Sequence, residues 1–181
     1  MLYDLRNSDS LVRWLVTLLL ATLGTSYLFG AWMVGLYAGF TPRKVAETYG
    51  PAGETAMVMQ MPPETTLVTE RHVSMAEMDE EQHHVDLDLL VQDTHVHMPM
   101  YAVLAACLSV IVLGLAISRA AGLGIITLLF AAPWLDFAGM WLTKLVSPHF
   151  AIVTLAGGWA MALGYCLVAA LATYQMWWRK S

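Results

Sequence analysis

The stretch DTHVHMPMYAVLAACLSVIVLGL, residues 93–115, decides the architecture. From Tyr101 onward it is apolar and uncharged, the composition a segment needs to cross the hydrocarbon layer of a membrane. Its first half sets two histidines, His95 and His97, and two methionines, Met98 and Met100, at the edge of that apolar run. The second half therefore speaks to fold and the first half to chemistry.

Working outward, the same long uncharged signature recurs on both sides. Span one covers about Leu11 to Ala38, with Arg13 placed to snorkel at its start. Span two runs from about His97 to Ser118, span three from about Leu123 to Thr143, and span four from about Pro148 to Trp178. The segments RAAG (119–122) and KLVSPH (144–149) read as tight turns, which makes spans two, three and four antiparallel neighbours. Ser147 has the chemistry of an N-cap, and Pro148 suits the first turn that follows. The expected fold is an all-α bundle of four transmembrane helices. It divides into an N-terminal tail and span one (1–40), an acidic extramembrane insert (41–96) and a three-helix hairpin bundle (97–181).

Composition agrees. With 58% hydrophobic and 13% charged residues, the 181-residue chain is too apolar for an ordinary soluble domain. Its charges are segregated: residues 39–96 hold eleven of the fourteen acids and three of the nine basic residues. No basic patch suggests nucleic acid. No phosphate loop, nucleophile elbow or zinc-protease motif is present, so nothing points to a hydrolase or a stand-alone enzyme. Cys107 and Cys166 both fall inside expected spans and read as free, small core residues. Without Cys-x-x-Cys-His, covalently attached c-type haem is excluded.

Lysine and arginine near the span ends set the expected orientation. Arg6, Arg13, Arg119, Arg179 and Lys180 lie on one side, and Arg43, Lys44 and Lys144 on the other. That bias puts both termini in the cytoplasm and exports the insert, as in a multi-pass protein of a bacterial inner membrane. Within the insert, residues 41–70 are rich in proline and glycine and read as irregular loop, with a short strand at TAMVMQM (55–61). Ser74 and Glu77 form a capping box that predicts an amphipathic helix over about 75–91, running into span two.

In this arrangement His95, His97 and His149 share one membrane face, with Lys144, Trp134 and Trp141 nearby as part of an aromatic belt. His95 and His97 are two residues apart, about 200° around a helix, so they do not face one centre together. Either could join His149 across the bundle as an axial ligand of a non-covalent b-type haem. His95 and His97 with Met98 and Met100 would instead suit copper, and the methionines elsewhere in the insert fit a copper-delivery role. The bland alternative, histidines as half-polar interface residues in a purely structural subunit, stands beside both. His83 and His84 read as solvated, or, with His72 and the neighbouring carboxylates, as a weak adventitious metal site.

Asp136, in APWLDFAGMWLTK, is the one carboxylate inside an expected span. A charge at mid-span costs about 3 kcal/mol or more on insertion scales, so it should face the bundle or a water path. It lies roughly 10 Å from the outer end of span three. Lys144, His149, or a threonine or tyrosine of a neighbouring span are its expected partners. Its roles range from proton relay, quinone hydrogen-bond acceptor or orienting partner of a ligand histidine to a structural hydrogen bond.

The segments LLLATLGTSYLFGAWM (18–33), SMAEM (74–78), DTHVHMPMYAVLA (93–105), DFAGMWLTKLVSPHFAIVTLAGG (136–158) and ALGY (162–165) together span most of the chain. In pattern it resembles a family of small four-helix bacterial inner-membrane proteins associated with respiratory electron transfer and periplasmic cytochromes. That resemblance implies a four-span bundle with a periplasmic insert, other membrane subunits or a periplasmic redox protein as partners, and DTHVH as a functional focus. It does not extend to His149.

Overall fold

In the computed structural model of the chain, residues 4–50 and 85–178 are described. A short 3-10 turn, Leu5–Asn7, precedes α1 (Ser10–Tyr37) and the short α2 (Pro42–Tyr49). Then come α3 (Leu87–Leu113), α4 (Arg119–Leu145), a 3-10 turn (Pro148–Phe150) and α5 (Ala151–Thr173), which continues as a π-helical turn over Tyr174–Trp178. Among the described residues, four segments are long and apolar enough to cross a membrane: Ser10–Tyr37, Leu87–Leu113, Arg119–Leu145 and Pro148–Trp178. They alternate in direction, so one end of the bundle carries α2 and the other carries the N-terminal turn and the end of α5.

Capping chemistry sets the element boundaries. Asp9 accepts from Ser10 N at the start of α1, and Ser147 accepts from His149 N, so Ser147 and Pro148 act as the sequence predicts. RAAG is not a turn. Ser118 Oγ accepts from Ala121 N, which makes Arg119–Gly122 the first turn of α4 and moves the reversal to residues 114–118. Residues 41–49 are not irregular either. Thr41 caps Lys44 N, Pro42 occupies the first turn, and Val45 is buried, so the segment TPRK starts a docked helix. Gly39 makes the corner between α1 and α2 at φ 68°, where any side chain would also strike Lys44. Of the expected helix over 75–91, residues 75–84 lie outside the described residues, as does the strand at 55–61. Asp86 is an extended N-cap, and residues 87–91 are the first turn of α3, which begins ten residues before the expected start of span two.

The tightest pairing is between α4 and α5, where glycines let backbone meet backbone. A Cβ added at Gly157 would strike the backbone of Asp136, and one added at Gly139 would strike Thr154. Gly164 sits against Leu128 and Leu129 in the same interface. Gly158 has open space around it, so the small-residue face of span four includes Gly157 and Gly164 but not Gly158.

At the terminal end, Leu5 N donates to Gly114 O at 2.9 Å, and the buried Gln175 accepts from Ala116 N at 2.8 Å. Trp177 Nε1 reaches Thr17 Oγ1 at 3.3 Å. The main core lies between these contacts and mid-bundle, around Leu20, Leu108, Ile111, Leu115 and Val168. Helix α1 joins it through Val16 and Leu20. The Tyr165 hydroxyl donates to Leu20 O at 2.6 Å over Gly24, and its ring stacks on Tyr27 at 4.8 Å. Beyond Tyr27, residues 28–36 of α1 are exposed on every side. Both cysteines are free, but they sit on the outer surface of the bundle and not in the core, because the helix faces that carry them turn away from their neighbours.

Candidate functional site

At the α2 end a second, smaller core forms from Leu90, Phe137 and Met140, flanked by Tyr49, Val85, Met98, Tyr101 and Trp141. Polar groups thread its edge. Trp141 Nε1 donates to Thr94 Oγ1 at 3.0 Å, and Lys144 Nζ donates to Val85 O at 2.7 Å, fastening the start of α3 to the end of α4. Val85 N in turn donates to Thr48 O at 3.0 Å, which holds α2 over the same end.

Inside this frame Asp93, His97 and Tyr101 recur every four residues along α3 and so form one stripe. His97 Nδ1 lies 2.9 Å from Asp93 Oδ1 and 3.0 Å from Asp93 O. Both neighbours are acceptors, so Nδ1 carries a hydrogen toward Asp93. The His97 and Tyr101 rings are 6.2 Å apart, and Tyr101 lies 6.0 Å from Phe137, the residue after Asp136 on α4. From α2, Tyr49 completes the group. Burial pushes its phenol up to about 12, and the charges of Asp93 and Asp136 and the Tyr101 phenol add to the effect. Two carboxylates, an imidazole and two phenols thus lie within electrostatic reach of one another. Arg43, at the exposed start of α2, pairs outward with Glu47 at 2.8 Å.

Asp136 is placed by its backbone. The Gly157 contact leaves no room between α4 and α5 there, and the half-buried carboxyl makes no hydrogen bond or ion pair among the described residues. Its expected hydrogen bond to a threonine or tyrosine is therefore not made there, although Tyr49 and Tyr101 are near.

The other predicted site residues separate. His95 points to the exposed side of α3 while His97 is half-buried, as their angular offset requires. His149 is exposed on the 3-10 turn before α5. Met98 packs against the Leu90 core, and Met100 is exposed. Among the described residues, no three His, Cys, Asp or Glu side chains gather as a metal would require. A haem would find in His97 one ligand already oriented by a carboxylate, while His95 and His149 are both exposed. Asp93, Tyr101 and Tyr49 were not singled out from the sequence. The spacing Asp93, His97, Tyr101 becomes a signal once the helix is known to begin at Leu87.

A family model for a transmembrane helical domain, Aq_1264_TM, matches residues 39–181. The chain belongs to this family. The Aq_1264_TM match takes in α2 through α5, so all five residues of the cluster lie within it, while α1, the least buried of the long helices, precedes it. No curated protein and no solved structure matches the chain.

Proposed function

We propose that this integral membrane protein is a subunit or accessory protein of a respiratory or redox electron-transfer assembly, seated in a bacterial inner membrane with both termini cytoplasmic. Its working part is the group Asp93, His97, Tyr101, Asp136 and Tyr49, which takes up and releases protons as electrons move through a partner on the periplasmic side. One observation carries this reading: an ionisable carboxylate held inside a span, within electrostatic reach of the same phenol, Tyr49, as a second carboxylate, Asp93, that engages the His97 imidazole. The family-like pattern of the chain supplies the respiratory setting.

The test is oxygen consumption by membrane vesicles carrying the native chain or Asp136→Asn, which keeps volume and removes the ionisable proton. A severalfold slower rate at equal protein content is expected, and an unchanged rate overturns the reading. His97, fixed through Nδ1, is also the one feature that favours a b-type haem. A Soret band in the purified protein, abolished by His97→Ala and kept in His95→Ala, would establish it. Copper is favoured by none of the described geometry, since Met98 and Met100 point to different surroundings.

A further inference from the structure

All four spans meet around one small cavity. Tyr27 of α1, Tyr101 of α3, Leu129 and Pro133 of α4 and Met161 of α5 border it. Each of these residues stands no more than four positions from the middle of its span, so the cavity lies near the middle of the membrane. The centre of a water molecule can range over about 10 Å³ of it. That is the room one water needs, and it leaves no place for a second.

Three residues on this border carry oxygens that still have bonds to make. Neither the Tyr27 nor the Tyr101 hydroxyl makes a hydrogen bond among the described residues. Pro133 stands inside α4 and has no N–H, so the Leu129 carbonyl, one turn earlier, loses its helical donor. Hydrocarbon offers neither donor nor acceptor, and an unbonded oxygen at this depth is costly. Buried waters settle at polar groups left in this state and make about three hydrogen bonds each. Three neutral oxygens are too few to replace the hydration shell of a metal cation. The size of the cavity and the chemistry of its border therefore select the same ligand.

We propose that this cavity binds one water molecule, held by the Tyr27 and Tyr101 hydroxyls and the Leu129 carbonyl. The site goes beyond the reading above and does not depend on it. One hydrogen of the water goes to the Leu129 carbonyl and the other to one phenol oxygen, while the second phenol donates to the water. Tyr101 also belongs to the outer cluster, so the water gives that cluster a polar branch toward Tyr27 near mid-membrane. It also ties α1 to α3 and α4 at the point where α1 leaves the bundle, since residues 28–36 are exposed on every side.

The experiment uses the full chain in proteoliposomes, with the tyrosines carbon-13 labelled at Cζ. Solid-state NMR follows the transfer of magnetisation from water to each phenol, and each signal is assigned by its loss in the matching Tyr→Phe variant. Tyr165 is the dry reference, because its hydroxyl is committed to Leu20 O at 2.6 Å. In the native chain, transfer to Tyr27 and to Tyr101 should be severalfold faster than to Tyr165. Tyr101→Phe should slow transfer to Tyr27 severalfold, and Tyr27→Phe should slow transfer to Tyr101 in the same way. An unmoved Tyr165 signal in both variants shows that the spans stay packed. Tyr27 and Tyr101 as slow as Tyr165 overturns the proposal. A Tyr27 rate unchanged by Tyr101→Phe also overturns it, since separate waters would then serve the two phenols. The comparison with Tyr165 is made within the native chain and holds even if a variant unfolds.

Discussion

Gly157 and Gly158 are neighbours in sequence with opposite surroundings, and replacing each by alanine isolates the helix contact that seats Asp136. At Gly157 an added Cβ would lie 2.6 Å from Asp136 Cα and 2.8 Å from Asp136 Cβ, with the Asp136 backbone nitrogen closer still. Carbon atoms rest at about 3.5–4.0 Å, so α4 and α5 must part by about 1 Å. No flexible side chain stands in the way to absorb that movement. Overpacking of this kind costs about 1–3 kcal/mol, and here it also loosens the reciprocal Gly139–Thr154 contact, which favours the upper half of the range. At Gly158 nothing lies within 4 Å, and the higher helix propensity of alanine contributes about 0.8–1 kcal/mol in the stabilising direction. Reversible unfolding in mixed micelles, titrated with a denaturing detergent, should separate the two variants by about 2–4 kcal/mol. Equal stability of Gly157→Ala and the native chain, or a loss at Gly158→Ala as large as at Gly157→Ala, would refute the packing described here.

Other outcomes follow from single contacts. Gln175→Leu strands the Ala116 N–H and should lower stability by about 1–3 kcal/mol in the same assay, whereas an effect near zero would mean that water replaces the bond. Thr154→Val should be neutral or stabilising, because Thr154 Oγ1 is buried without a hydrogen-bond partner among the described residues; a clear loss would reveal one. Burial pushes the Tyr49 phenol up to about 12, against 10.0 for an ordinary phenol. Through that window the unfolded chain has released the proton and the folded chain keeps it, so the docking of α2 is fully supported below the lower value and weakens as pH rises. Two pKa units correspond to at most about 2.7 kcal/mol, and partial exposure of the ring brings this to on the order of 1–2 kcal/mol. The phenolate absorbance difference between the native chain and Tyr49→Phe should show the raised midpoint, and an ordinary midpoint would mean that α2 is not docked. A cysteine introduced at Glu64 should react with an impermeant thiol reagent in cells stripped of their outer barrier; labelling only after lysis would reverse the orientation.

The four spans were legible because the hydrocarbon requirement acts on every residue of a 20-residue window, and few soluble elements imitate it. The Ser147–Pro148 start of span four was equally plain, since both residues have positional meaning of their own. What misled was local. The Thr41–Pro42 helix start lies inside a proline- and glycine-rich segment whose composition masks it, and RAAG resembles a turn unless Ser118 is recognised as the cap before it. Gly158 and Gly157 are identical to a composition argument; only the rotation of α5 against α4 tells them apart. Asp136 stood out by its cost in lipid. Asp93 and Tyr101 did not, because the sequence boundary at His97 cut the helical stripe that joins them, and Tyr49 reaches the site through a helix that was not foreseen.

The Asp136–Gly157 contact also sets which parts of the cluster can move. Side chains adjust to a neighbour by changing rotamer, but backbone against backbone has no rotamers, so Asp136 is indexed to α5 as firmly as the fold itself. Its companions are held differently: Tyr101 and His97 by ring contacts, and Tyr49 by a two-turn helix that hangs from a glycine corner. The Asp136 backbone is the stator of the cluster, while its carboxyl, without a hydrogen bond among the described residues, can still turn about that fixed point. Whatever arrives there meets an acid whose origin does not shift, and larger adaptation comes from α2.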